Sequence, residues 1–141
     1  MPAMSLHRDV KMQLIRTIGL FSGCTIDELH EVAAIADEID LRAGKLLTTE
    51  DTDGREFVVI IEGQAEVAKH GEVVATIGPG DYFGEIALID GGPRSATIVA
   101  ATDLVCYGLT FWEFRPLVEG NGSIGWKLLQ ALAKRLRAAD G

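Results

Sequence analysis

From Ile39 onward, apolar residues alternate with polar ones, and a turn-forming residue interrupts the alternation every several positions. Alternation sends successive side chains to opposite faces, which suits strands lying in a half-buried sheet. Ile39 and Leu41 alternate with Asp40 and Arg42, and Gly44, Gly54, Gly63, Gly71, Gly78 and Gly80 then punctuate short apolar runs. The spacing predicts strands near 38–42, 45–49, 56–61, 64–69, 73–77, 97–101 and 104–109. Regular short strands joined by glycine turns predict a closed barrel or a double-sheet jelly roll. Ile39, Leu41, Leu46, Val58, Ile60, Val67, Val74, Ile77, Ile98 and Val105 are the residues expected to face its core.

The alternation breaks at 81–97, DYFGEIALIDGGPRSAT. A Gly-Pro-Gly-Asp turn at 78–81 ends one strand, one helical turn is expected at 85–89, and a Gly-Gly-Pro loop delivers Arg94 just ahead of the next strand. The first N–H groups of so short a helix lack partners and carry partial positive charge, a ready place for an anion. A guanidinium matches phosphate oxygens in pairs, and the Glu85 carboxylate can accept from adjacent hydroxyls. Gly84 carries no side chain where backbone must approach a ligand closely. Phosphate on one side and sugar on the other is one reading of this stretch. A Glu85–Arg94 ion pair that merely closes the loop is the other.

The segment FGEIALIDGGPRSAT resembles the phosphate-binding cassette of the cyclic nucleotide-binding domain family, in the loop length of the cAMP-dependent protein kinase regulatory subunits. The resemblance runs from about Leu20 to Ala138 and implies an eight-stranded jelly roll (a double-stranded β-helix barrel), mainly β within an α+β chain, with flanking helices. It implies that Glu85 takes the ribose 2'-hydroxyl with the backbone of Gly84 assisting, and that Arg94 holds the cyclic phosphate with the N–H groups of Ala87 and Ser95. Phe83, Ile86 and Ala96 would line the pocket, and Leu132 and Arg135 would come from a C-terminal helix that folds over the base and moves on binding. The ligand would be cAMP; Ser95 lies between the alanine linked to adenine and the threonine linked to guanine, which keeps cGMP in view. One turn departs from the family: 48–54 reads Thr-Thr-Glu-Asp-Thr-Asp-Gly where a glycine followed by an acid is usual, and it is expected to face away from the pocket.

A chain of 141 residues suits one domain. Its expected parts are a helical segment at 1–36, a barrel at 37–110 with the cassette at 83–96, and C-terminal helices at 111–140. No apolar run approaches the roughly 18 residues of a membrane span, and residues 1–16 lack the apolar centre of a secretory signal, so a cytoplasmic protein without a membrane partner is expected. The net charge of −8 argues against a nucleic-acid partner, and no helix-turn-helix is expected after the last helix. Cys24 and Cys106 are too isolated for a disulfide framework or a metal knuckle. His7, His30 and His70 are scattered, unlike the clustered ligands of metal-binding barrels. No nucleophile–base arrangement is apparent, so a sensor is expected rather than an enzyme.

Helical spacing of Leu6, Val10, Leu14, Ile15 and Ile18 predicts an amphipathic helix at 6–18. Thr25 and Glu28 have the spacing of a capping box that opens a second helix running to about Ala36. A short helix is expected at 111–118, broken at Asn121-Gly122 before Ser123 caps a last one. Ile124, Leu128, Leu129, Leu132 and Leu136 form its expected apolar face, and Trp126, in its first turn, suits core or partner packing better than stacking on a purine. The chain thus reads as a cyclic nucleotide sensor acting on an effector protein or a covalently linked domain. A module with the same fold that binds a protein partner through an unresponsive pocket is the alternative.

Overall fold

The computed structural model describes residues 2–49, 56–84, 87–90 and 96–140, with side chains from Val10 onward except that of Ala87. The chain divides into two compact units, a helical one (Met1–Ile35 with Trp112–Gly141) and a β one (Ala36–Phe111).

The β unit contains β1 (Asp37–Leu41), β2 (Leu46–Thr48), β3 (Glu56–Glu62), β4 (Ala65–Lys69), β5 (Glu72–Ile77), β6 (Tyr82–Phe83), β7 (Thr97–Ala100) and β8 (Leu104–Thr110). They form two antiparallel sheets of four strands, ordered β1-β8-β3-β6 and β2-β7-β4-β5, which is the jelly roll expected from the sequence. Val58, Ile60, Leu104 and Cys106 of the first sheet pack with Ala65, Ile98 and Ala100 of the second, so the core lies where the two inner faces meet. β3 and β8 are buried on both faces: Phe57, Val59, Tyr107 and Leu109 alternate with the inward residues and are also shielded from solvent. Burial pushes the Cys106 thiol up to about 11, with Asp40 adding to the effect, so it remains a protonated core residue at neutral pH.

Glycine is required at two places in this frame. Gly63, in the turn from β3 to β4, has φ 93°, and a Cβ there would lie 2.2 Å from the carbonyl oxygen of Asp103. Gly108 stands opposite Val58 in β3, and its missing side chain leaves room for Ile39, whose Cδ1 would be 2.6 Å from an added Cβ.

Three core assignments made from alternation need correcting. Leu46 is 59% exposed, because a bulge in β2 sets Leu46 opposite Val99 but Thr48 opposite Ile98 and turns Leu47 toward the core instead. Val74 is 55% exposed, because β5 is an edge strand paired with β4 alone. In β8 the inward residues are Leu104 and Cys106, with Val105 only half-buried, a slip of one residue that exchanges the faces.

The helical unit consists of α1 (Pro2–Thr17), a 3-10 turn (Gly19–Phe21), α2 (Ile26–Ile35), and, after the short α3 (Ala87–Asp90) within the β unit, α4 (Phe111–Gly120) and α5 (Gly122–Asp140). The capping box forms as expected: the Glu28 N–H donates to Thr25 Oγ1 (3.2 Å), and the Thr25 N–H donates to Glu28 Oε1 (2.8 Å). Phe21 meets Phe114 edge to face, with centroids 6.0 Å apart. Glu28 also accepts from Lys127 of α5, and Asn121 Nδ2 donates to Glu31 Oε2 (2.7 Å), so α2 is fastened to α5 at its base.

The last helix differs from expectation in two respects. Its cap is Asn121, whose carbonyl accepts from the Ile124 N–H (3.1 Å), whereas Ser123 lies inside the helix and bonds the Glu28 carboxylate. Its apolar residues do not share one face: Ile124 and Leu128 are buried, but Leu129 and Leu136, about 100° further round the helix from Leu128 and Arg135 respectively, are exposed. Trp126 lies near that outer stripe and is 63% exposed, not a core residue. No helix among the described residues is long and apolar enough to cross a membrane.

Candidate functional site

The cassette hangs between two fixed ends, both built within the β unit. At its near end the Gly-Pro-Gly-Asp turn closes on itself: Asp81 Oδ2 accepts from the Gly78 N–H (2.8 Å), and the Asp81 N–H donates to the Gly78 carbonyl (2.9 Å). Gly80, with φ 90°, makes that turn possible and donates its N–H to Ile60 (2.8 Å), while the Ile60 N–H donates to the Asp81 carbonyl (2.9 Å). The turn is thus bonded to β3, and Tyr82 and Phe83 continue as β6 opposite Val59 and Val58. Phe83 packs against the core, and Tyr82 lies against Phe57, with ring centroids 5.9 Å apart.

Gly84 leaves the strand at φ 88°, in the left-handed region that other residues avoid. Its carbonyl accepts from the Leu88 N–H (3.0 Å), the spacing of a helical turn, and α3 (Ala87–Asp90) follows. Leu88 is fully buried and anchors α3 in the β unit against β3, while Ile89 and Asp90 face outward. The expected helical turn at 85–89 is therefore present at 87–90 in its described part. Glycine at 84 serves the backbone, as well as leaving space beside it.

At the far end, Ala96 is buried and leads into β7, which lies between β2 and β4. Thr48 Oγ1 donates to the Ala96 carbonyl (2.9 Å), satisfying a backbone group that has left the loop but not yet joined the ladder. The turn at 48–54 was expected to face away from the pocket; residues 50–54 lie outside the described residues, and Thr48, the last residue of β2, makes the bond to Ala96. No spacing rule could reveal the contact, since the partners are 48 residues apart.

Of the site residues read from the sequence, Phe83, Gly84 and Ala96 sit at these two ends, and the backbone of Ala87 opens α3. Glu85, Ile86, Arg94 and Ser95 lie outside the described residues. Leu132 and Arg135 are half-buried on α5 in the helical unit, where the Arg135 guanidinium reaches toward the 3-10 turn at Gly19. Among the described residues no group of histidines, cysteines and carboxylates could hold a metal ion.

A jelly roll whose sixth strand leads into a one-turn helix, with its seventh strand in the opposite sheet, is the frame the sequence resemblance called for. Residues 38–121 match the cyclic nucleotide-binding domain, well over half of the chain. The chain belongs to that family. A cAMP-dependent protein kinase regulatory subunit from Yarrowia lipolytica is 49% identical over 92 residues, 64% of this chain and 24% of its own length. The chain spans about a quarter or less of the curated relatives it matches. The N-terminal domain of a transcriptional regulator from Streptomyces coelicolor A3(2) superposes with a TM-score of 0.83 at 28% identity, over 89% of this chain and 94% of that one. The regulatory domain of Toxoplasma gondii PKA, solved with cAMP, superposes with a TM-score of 0.72 at 28% identity, over 79% of this chain and 44% of that one. This cyclic nucleotide-binding domain thus shares its fold with a transcriptional regulator domain and a PKA regulatory domain.

Proposed function

We propose that residues 1–141 act as one regulatory module that binds cAMP and reports its occupancy through α5. The observation that carries this reading is the cassette sequence FGEIALIDGGPRSAT, which contains Gly84, at its left-handed φ of 88°, near one end and the buried Ala96 near the other. Family membership and the cAMP found with the Toxoplasma relative support it. In this reading Arg94 pairs with the cyclic phosphate through its guanidinium, joined by the backbone N–H groups of Ala87 and Ser95. Glu85 accepts from the ribose 2'-hydroxyl, the Gly84 backbone assists, and Phe83, Ile86 and Ala96 shape the wall. Leu132 and Arg135 close over the base when α5 moves.

Such a module works by binding, not turnover. A hundredfold preference of the ligand for the closed arrangement supplies about 2.7 kcal/mol to drive the helix, and the effector is a further protein or a covalently attached domain.

Calorimetric titration of nucleotide-stripped protein tests the reading. Saturable binding of cAMP, tighter than that of cGMP and lost in Arg94→Ala, is the expected result. Folded protein that gives neither heat nor thermal stabilisation with either nucleotide overturns it and points to a module that binds a protein partner instead.

A further inference from the structure

The buried contacts of α5 lie on one side: Ile124 and Leu128 are buried, while Trp126, Leu129 and Leu136 are each more than half exposed. With Ala133, also exposed, these form a series spaced three, four and three residues apart. Successive residues of a helix turn by about 100°, so the four side chains fall within about 80° of one another and run for about 15 Å along the axis. Such a repeat is the seam of a coiled coil, in which each apolar knob enters a hole made by four residues of a facing helix. An extended strand presents no matching holes. A contiguous apolar surface of this kind marks a place where another molecule sits.

Charge selects among the helices that could sit there. α5 carries Lys127, Lys134, Arg135 and Arg137 against Asp140 alone, although the whole chain has a net charge of −8. Lys127 is neutralised by Glu28, and Arg135 is half-buried and turned toward Gly19. Arg137 borders the stripe, and Lys134 lies about 60° further round on the same flank. Both are exposed, and neither has an ion pair among the described residues. A facing helix therefore gains from apolar residues along the seam and carboxylates opposite that flank. A second copy of α5 would bring its own excess of cations to the seam. An anionic membrane would meet the acidic field of the whole chain as well as the stripe.

We propose that the outer stripe of α5 is a docking surface for an acidic amphipathic helix of a partner protein. Its apolar side chains would seat among Trp126, Leu129, Ala133 and Leu136, with its carboxylates facing Lys134 and Arg137. Trp126 is the aromatic anchor at one end of the contact. The surface uses none of the residues assigned to the nucleotide, and only the equation of this partner with the effector rests on the proposed function.

The test uses the full chain carrying Trp112→Phe, which leaves Trp126 as the one tryptophan reporter. The probe is a synthetic helical peptide of about three heptads, with leucine at the two seam positions and glutamate at the flanking ones. A saturable blue shift of the Trp126 emission is expected, lost in Leu129→Asp and with affinity about tenfold or more weaker when Lys134→Glu and Arg137→Glu are combined. No saturable shift, or equal affinity for the same peptide with lysine in place of glutamate, overturns the proposal. So does a dimer in sedimentation equilibrium that Leu129→Asp dissociates, which makes a second copy the occupant. A blue shift with phosphatidylserine–phosphatidylcholine vesicles and none with the peptide overturns it in favour of a membrane. Calorimetry with cAMP should give the same affinity in the parent and in Leu129→Asp. A parent that binds no cAMP would remove the cassette reading and leave the peptide titration unaffected, so the two failures are distinct.

Discussion

Glu28 joins two helices through one carboxylate, so its removal should cost more than either role alone. Its side chain is 8% exposed, and Oε1 accepts from the Thr25 N–H at 2.8 Å and from Lys127 Nζ, with Ser123 bonding the same carboxylate. Losing a charge-assisted hydrogen bond costs about 1.5–3 kcal/mol, and losing a cap costs about 1 kcal/mol. Stranding a buried partner costs about 3–5 kcal/mol, but Lys127 is 23% exposed and can turn to water, which favours the lower end. Glu28→Ala is therefore expected to destabilise by about 3 kcal/mol. Glu28→Gln, which keeps an acceptor for the Thr25 N–H, should cost about half of that.

Urea unfolding followed by circular dichroism measures both, and pH supplies a second check. The Lys127 bond, then the Thr25 N–H and Ser123, lower the Glu28 pKa from 4.5 to about 2 in the folded chain. A depressed carboxylate stabilises the fold above its unfolded pKa and ceases to do so as pH falls through its folded one. The gap between the parent and Glu28→Gln should thus be constant above pH 4.5 and close progressively toward about pH 2. A loss below about 1 kcal/mol in Glu28→Ala, or a gap insensitive to acid, would refute the argument.

Two further substitutions probe the frame of the cassette. Gly63→Ala places a Cβ 2.2 Å from the Asp103 carbonyl oxygen at φ 93°, and a fall of about 2 kcal/mol or more in unfolding free energy is expected; near-parent stability would mean that the turn can relax. Thr48→Val leaves the Ala96 carbonyl without its donor, which should cost about 1–3 kcal/mol and weaken cAMP binding; calorimetry showing unchanged affinity would detach Thr48 from the site.

What could be read from the sequence was local. The Thr25–Glu28 box, the Gly-Pro-Gly-Asp turn and the inward Val58, Ile60 and Ile98 each follow from spacing over a few residues, and all are present. β6 is two residues long and too short to show an alternation. Leu46 and Val74 were misplaced because a bulge and an edge position depend on the neighbouring strand, which the chain supplies from far away. Ser123 looked like a cap until Glu28, on another helix, gave its hydroxyl a different partner. The family was legible through resemblance; the bond from Thr48 to Ala96 was not, because it joins segments that no periodicity connects.

The anchoring of the cassette bears on how freely its length can vary. Gly84 and Ala96 are held by bonds to Leu88 and Thr48 and by strands in opposite sheets, all of them outside the Gly-Gly-Pro loop at 91–93. The closure entropy of such a loop grows only logarithmically, about 0.6 kcal/mol for each doubling of its length. The barrel therefore imposes little selection on how many residues lie between its two anchors. Under the proposed function, variation there is left to be governed by the ligand, whose reach from sugar to phosphate would be the ruler.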